Sequence, residues 1–366
     1  MKEKTKRTLK ILAGSIIKND SAIEGAKTAP WWIAVIMFIV CNFLPVIPIM
    51  VNANKTYGAS FINDYVYGYD QALMGATTEL KDSGYKLMVK DHQLLAYESE
   101  EDLNNNKPVS EAWALNADQV SKDYTPIASY VSVNDGISTH VLDIYYTDRE
   151  YGKGAYTVKG LINHLEKEVK YAVNTNNVFN AEVDADYYIP SYLILYKNGI
   201  YSKIFKYGTK TAASVTYTGL DWKNTDDMDL LESTLTVENV TPNKYDAKYV
   251  SGVFGNWKVI FNTSYKNQKI QTFWATSGIY YGIYLGLGIF MGLMMFLLTR
   301  GKRNPNRNLN FWITCKISAW IAFSPAVLAM IVGFFWNAAA GIGYIVLFGL
   351  RTMWLSMRQL SPMAQQ

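Results

Sequence analysis

The sequence predicts a multi-pass α-helical membrane protein carrying an extracytoplasmic α+β domain with a mixed, largely antiparallel sheet. Three observations predict it. Apolar residues gather into uninterrupted runs of about twenty, the length that crosses a ~30 Å hydrocarbon core. Lys and Arg crowd the short segments beside those runs. Between the runs lies a polar stretch rich in Tyr, Asn, Asp, Val and Thr, long enough for a core of its own. The averages of the 366-residue chain conceal this partition: 49% hydrophobic residues and 35 Lys and Arg against 31 Asp and Glu, a net charge of +4. With 14% aromatic residues and only 10 Pro, a disordered or collagen-like chain is excluded.

The first run, Trp31 to Val51, carries Asn42, Pro45 and Pro48 toward its far end and opens on Trp31-Trp32, rings suited to the headgroup level. The second, Phe273 to Leu298, is free of charge and is followed by a basic loop over 299–316. The third covers 317–336. The fourth, 338–355, contains Arg351, so it crosses only if that side chain snorkels to the near interface and is otherwise re-entrant. Residues 356–366 form a tail. Val51-Asn52-Ala53 also has the small residues that signal peptidase reads, which would start a cleaved chain at Asn54. The run is longer than the roughly 7 to 15 residues of a signal core, so an uncleaved anchor is expected.

Orientation follows from basic residues, which resist translocation. Lys2, Lys4, Lys6, Arg7, Lys10, Lys18 and Lys27 precede the first run; Arg300, Lys302, Arg303, Arg307 and Lys316 separate the second from the third; Arg351 and Arg358 lie in or after the fourth. Four spans with both termini in the cytoplasm satisfy all three groups. Residues 52–272 are then outside a bacterial plasma membrane, and they hold 21 Lys and Arg against 28 Asp and Glu, a net of −7. In the tail, residues 1–30, Leu9, Leu12, Ile16 and Ile17 recur at helical spacing beside lysines. This predicts an amphipathic helix on anionic lipid, or else a basic tail that only sets topology.

Within the exported segment, Ile189 to Phe205 reads as a β-hairpin, with Asn198-Gly199 supplying the positive φ angles of a type I′ turn. Thr157 to Val173 has Val158, Leu161, Ile162, Leu165, Val169 and Ala172 at three- and four-residue steps, an amphipathic helix. Tyr85 to Ala96, Ile127 to Val133 and Thr139 to Tyr146 read as strands, and Asn256 to Phe261 as a last strand before the membrane. Asn104 to Pro108 and Thr225 to Asp229 read as polar loops.

Little in the chain points to chemistry. Cys41 and Cys315, within or beside apolar runs, support no disulfide framework, no zinc finger and no redox pair. His92, His140 and His164 are isolated. Ser15-Ile-Ile-Lys18 matches a Ser-x-x-Lys pattern without its partner motifs. Asp184, Asp186, Asp226, Asp227 and Asp229 lack the Gly and Glu of a calcium loop. No catalytic, cofactor-binding or metal-ligating residue is therefore expected, and no cofactor. The tyrosines Tyr145, Tyr146, Tyr187, Tyr188 and Tyr192 read as sheet packing before they read as a sugar platform. The residues singled out are Gly278, Gly282, Gly286, Gly288 and Gly292, whose spacing lets helices approach closely, either within this chain or in a partner. With no acidic residue in any span, a proton-coupled carrier is disfavoured.

Tyr192-Leu-Ile-Leu-Tyr-Lys-Asn-Gly-Ile200 and Lys316-Ile-Ser-Ala-Trp-Ile-Ala-Phe-Ser-Pro-Ala-Val-Leu328, with one span before and several after an exported domain, resemble the uncharacterised Firmicute-type membrane protein family labelled maltodextrose-utilisation protein MalA. The resemblance implies a maltodextrin setting and no catalytic residues. The expectation is thus a non-enzymatic membrane protein whose exported domain binds a ligand or partner as an accessory to sugar uptake. Its partners would be the lipid bilayer and a transporter subunit or a second copy, not nucleic acid. The alternatives are a sensor relaying the exported domain's state to the cytoplasmic segments, and an envelope-modifying enzyme that would need Asp184 or Asp186 near His140.

Overall fold

The computed structural model of the chain describes residues 10–11, 13–15, 18–63, 68–109, 125–134, 137–152, 157–168, 171–172, 187–188, 190–205, 214–302, 304–336 and 339–360. It divides into two compact units, Met1–Lys55 with Gln271–Gln366, and Thr56–Ile270. Most of the tail residues expected to form an amphipathic helix lie outside the described ones.

In chain order, α1 spans Asn19–Thr28, α2 Trp31–Phe43 and α3 Val46–Lys55. Pro45 and Pro48 have no N–H to continue the ladder, and the chain turns between α2 and α3. Next come α4 (Tyr69–Asp82), β1 (Lys86–Lys90), β2 (Gln93–Tyr97), β3 (Ala128–Asn134), β4 (Ile137–Thr147), α5 (Val158–Glu168), β5 (Ser191–Tyr196), β6 (Gly199–Phe205) and β7 (Ser214–Gly219). They are followed by α6 (Leu230–Leu235), α7 (Ala247–Leu298), α8 (Phe311–Ile321), α9 (Phe323–Phe335) and α10 (Ala340–Leu355), which runs on as a π-helical turn over Ser356–Leu360.

The Thr56–Ile270 unit is built on a five-stranded sheet in the order β3-β4-β5-β6-β7. Only β4 and β5 are parallel, and α5 lies in the connection between them; the other pairs are antiparallel. Every residue of β5 is buried because the sheet is covered on both faces. Leu142, Ile144, Leu193, Leu195, Ile200 and Ile204 face one core, shared with α4 and α7. Tyr145, Tyr192, Ile194, Tyr196 and Tyr201 face a smaller one under Val158, Leu161, Ile162 and Leu165 of α5. A second sheet places Met228–Asp229, β1 and β2 side by side.

The segment expected as a last strand, Asn256 to Phe261, is instead part of the 52-residue helix α7. Its β-branched and aromatic residues mimic a strand over six positions. The period shows only over a longer window, where Tyr249, Val250, Val253, Trp257, Ile260, Phe261 and Tyr265 enter the core together. Trp257 Nε1 donates to Thr77 Oγ1 at 3.1 Å, and Tyr217 donates its hydroxyl to the Phe261 carbonyl at 2.7 Å.

Two turns also depart from expectation. Tyr85 to Ala96 is not one strand but the hairpin β1-β2, turned by Asp91 (φ 50°) and His92 (φ 63°), the paired left-handed residues of a type I′ turn. In the β5-β6 hairpin Tyr196 pairs with Gly199, so Lys197-Asn198 forms the two-residue turn and neither has positive φ. Gly199 is needed for close approach rather than for φ: a Cβ there would lie 2.1 Å from the Gly219 carbonyl oxygen.

Among the described residues, three helices are long and apolar enough to cross a membrane: Trp31–Lys55, Ala247–Leu298, of which the part from Gln271 belongs to the other unit, and Phe311–Phe335. The third begins at Phe311, capped by the Asn310 side chain on Ile313 N, so the basic loop is shorter than expected and Lys316 is helical. Register fixes their directions. Phe38 meets Gly288 and Phe43 meets Tyr281, so α2 runs antiparallel to α7. Cys315 meets Gly292, and Ser318 Oγ donates to the Gly288 carbonyl at 2.7 Å, so α8 does too. Gly341 meets Tyr280, Tyr344 stacks edge-on against Tyr284 at 4.9 Å, and Gly349 meets Met291, so α10 runs parallel to α7. The directions alternate along the chain. At 16 residues α10 alone is shorter than the ~20 that cross a bilayer.

The core contribution of α7 sets a test. A fragment of residues 56–270 should unfold cooperatively in urea, and one ending at Asp246 should not fold. Within the longer fragment Trp257→Ala should cost about 3–5 kcal/mol. A cooperative transition in the shorter fragment would contradict this account of the core.

Candidate functional site

Polar groups among apolar helices are costly unless partnered, so they mark where to look for function. Arg351 on α10 is such a group. Its Nη1 donates to the Ile321 carbonyl at 2.9 Å and to Ser324 Oγ at 2.6 Å, its Nε to Asn19 Oδ1 at 3.4 Å, and its Nη2 to the Ser15 carbonyl. The sequence reading let this segment cross if Arg351 snorkels to the near interface and made it re-entrant otherwise; the side chain is instead held by acceptors within its own unit.

The local sequence explains one of them. Pro325 has no N–H to give the carbonyl four residues earlier, which is that of Ile321, and α8 gives way to α9 at Ala322. An unpaired buried carbonyl costs about 1–3 kcal/mol, and a bond from a charged donor contributes about 1.5–3 kcal/mol. Among the described residues no carboxylate lies within ion-pair distance of Arg351. All four acceptors are neutral.

Ser15 and Asn19 belong to the segment expected as a cytoplasmic tail, yet its helix α1 is packed against the bundle. Ala22, Gly25 and Ala26 are buried, and a Cβ on Gly25 would come within 2.9 Å of the Trp320 ring. Gln359 Nε2 donates to Asp20. Trp320 is fully buried, and its Nε1 has no hydrogen-bond partner among the described residues. Deeper in the bundle, Asn42 is buried, donates to the Phe38 carbonyl at 2.7 Å and accepts the Tyr344 hydroxyl at 3.0 Å.

The glycine series divides. Gly288 lies against Phe38 and Gly292 against Cys315, where an added Cβ would sit 2.5 Å and 2.8 Å from side-chain atoms. At Gly278, Gly282 and Gly286 an added Cβ meets nothing within 4 Å. They lie along an exposed face with Ile279 and Ile283.

In the Thr56–Ile270 unit several titratable side chains are tied to separate places in the fold. Asp143 is fully buried and accepts from Ser129 Oγ at 2.7 Å, with His140 Nδ1 3.6 Å away. Asp227 accepts the Asp91 amide at 3.1 Å, and Asp229 caps α6 through the amides of Leu231 and Glu232. His92 sits in the β1-β2 turn, and His164 is half-buried on α5. Asp184 and Asp186 lie outside the described residues. Among the described residues no three His, Cys, Asp or Glu are grouped to hold a metal ion.

Of the tyrosines singled out in the sequence, Tyr145, Tyr146 and Tyr192 are buried, not displayed. Tyr192 stacks on Tyr201 at 6.2 Å, and Tyr151 on Tyr196 at 6.1 Å. The side chains of Tyr187 and Tyr188 lie outside the description. Tyr192 donates to Glu166 Oε1 at 3.2 Å, and Lys203 pairs with the same oxygen. Burial, then the charges of Tyr201 and Glu166, push the Tyr192 hydroxyl far above its ordinary range, and burial first of all lifts Tyr201 and Tyr69 to about 12.

No protein-family model, no curated protein and no solved structure matches the chain. The role of Ser15 and Asn19 escaped sequence reasoning, but a signal existed: a lone Arg in an apolar run without an acid requires neutral acceptors, and a Pro inside another span supplies one.

Two measurements follow. The raised tyrosine values mean that the folded 56–270 unit holds protons the unfolded chain has released, so stability is present below pH ~10 and falls between about pH 10 and 12. Urea unfolding across that range should show the decline, and a flat profile would contradict tyrosine burial. Gly292→Leu should destabilise the detergent-solubilised chain by about 1–3 kcal/mol, whereas Gly278→Leu should be close to neutral in the same thermal unfolding assay.

Proposed function

We propose that the chain is a four-span protein of a bacterial plasma membrane, with both termini in the cytoplasm and residues 56–270 outside. Its exported domain binds a ligand or partner and carries out no reaction. The observation that carries this reading is the partition of the chain: one unit with its own two-sided core, and another whose apolar segments alternate in direction. Exposed apolar side chains on that second unit, among them Ile279, Ile289, Leu297 and Phe335, suit a lipid surround. The fourth crossing is supported by α10 running alongside α7 from Tyr280 to Met291, with neutral acceptors inside the unit taking for Arg351 the place of the near interface that the sequence reading required. The open Gly278-Gly282-Gly286 face would take a transporter subunit or a second copy. The sugar-uptake setting rests on the family resemblance alone.

A second reading, a sensor, is favoured by one feature. The helix α7 gives Val253, Trp257 and Phe261 to one core and Tyr284 and Met295 to another, so a change in the first has a covalent route to the second.

Mild-detergent purification of the tagged full-length chain from its native membrane tests the first reading. A stoichiometric partner should co-elute and be displaced by added 56–270 fragment. A partner retained by a chain lacking residues 57–245 would refute the exported domain as the binding element. If the bound partner instead alters trypsin cleavage at the exposed Lys302, the sensor reading gains; an unaltered pattern removes it.

A further inference from the structure

We propose that one end of the unit formed by Met1–Lys55 and Gln271–Gln366 binds the headgroups of anionic phospholipid, between the loop that carries Arg300, Lys302 and Arg307 and the turn that carries Arg358. The inference rests on the reading that this unit crosses a membrane.

The register of the helices gathers the site. Because α2 and α8 run against α7 and α10 runs with it, the start of α2, the end of α7, the start of α8 and the end of α10 lie together. Two side-chain amides then fasten the loop to the turn. Asn304 Nδ2 donates to the Leu360 carbonyl at 2.8 Å, and Asn306 Nδ2 to the Gln359 carbonyl at 3.0 Å. Arg300 Nη2 donates to the Leu309 carbonyl at 2.9 Å, which closes the loop back on the end of α7.

These bonds hold like charges in one place. Arg307 follows Asn306 and Arg358 precedes Gln359, so the contact between the two segments is flanked by exposed cations, with exposed Arg300 and Lys302 on the same loop. Like charges so placed repel, and the chain offers little to offset them. Residues 271–366 contain no Asp or Glu, and Asp20, which accepts from Gln359, answers one charge. An anion from outside completes the arrangement.

The side chains beside the cations identify that anion as a lipid. Arg358 sits over the Trp354 ring at 4.4 Å and Arg300 over the Phe296 ring at 4.0 Å, each ring one turn toward the apolar part of its helix. Exposed Leu297, Met353 and Met357 adjoin them, and Trp312 stands exposed at the same end. A phosphate held by the guanidinium groups lays its acyl chains on those apolar side chains, with the indoles at headgroup level. Free phosphate uses none of that surface.

The test uses the full-length chain in mild detergent. Added phosphatidylglycerol should raise its thermal unfolding temperature, phosphatidylcholine should not, and the gain should shrink as salt rises. Arg307→Gln with Arg358→Gln should weaken phosphatidylglycerol binding about tenfold or more, as expected for two basic residues facing anionic headgroups. Lys223→Gln, exposed in the other unit, should leave it unchanged. Binding unaffected by the double variant, equal protection by the two lipids, or equal protection by glycerophosphate overturns the site. If the double variant does not accumulate, the two comparisons on the unsubstituted chain decide. Alkaline carbonate extraction of native membranes separates two failures: a chain that stays embedded without a lipid preference loses this site alone, whereas a chain released into solution loses the membrane reading with it.

Discussion

The unit of long apolar helices is organised around a missing hydrogen bond. Pro325 leaves the Ile321 carbonyl without its helical donor, and a bare carbonyl in an apolar bundle must be answered from another element. Arg351 answers it, and this fixes the face that α10 turns toward the α8–α9 break. A guanidinium carries five donors, so one carbonyl cannot satisfy it. Ser324 takes one more, and the remaining demand draws Ser15 and Asn19 onto the bundle. Proline, arginine and the N-terminal segment are three parts of one account of backbone satisfaction. Asn42 is a smaller instance of the same logic, closing on the Phe38 carbonyl and the Tyr344 hydroxyl.

The Thr56–Ile270 unit solves a different problem, that of covering a mixed sheet on both faces. The parallel pair β4–β5 demands a crossover, and α5 supplies it while roofing the tyrosine face. The other face is left to α4 and α7. Gly75 shows how close α4 lies, since a Cβ there would come 2.3 Å from the Tyr130 ring. Tyrosine serves this architecture because its ring fills space while its hydroxyl reaches a carbonyl, as Tyr196 does to Gly219 at 3.1 Å.

Much of this was legible in the sequence. Long apolar runs, the periodicity of α5 and the strands β3, β4, β5 and β6 were readable because each depends on local pattern. The failures share a physical cause. Asn256 to Phe261 looked like a strand because six residues are too few to show a helical period when β-branched and aromatic residues fill them. Asn198-Gly199 looked like a type I′ turn because glycine usually means positive φ, whereas Gly199 answers a neighbouring backbone that only the folded sheet brings close. The hold on Arg351 depended on acceptors roughly thirty and more than three hundred residues away, and no local window contains them. For the candidate site, spacing alone identified five glycines and could not tell Gly292, which is covered, from Gly278, which is open.

The placement of Trp257, Phe261 and Tyr265 in the sheet's core bears on how the protein is made. The amide of Ala59 is held by the Asn262 side chain across 203 residues, so the first part of the unit to be synthesised is closed by nearly the last. Such long-range closure is slow, because loop entropy must be overcome before the contacts reward it. During synthesis the sheet must therefore wait, with one apolar face uncovered, until α7 emerges. The same helix then continues directly into a membrane-length apolar stretch, so completion of this core and delivery of the next hydrophobic segment fall at one moment of translation. That moment is where a chaperone would have most to protect.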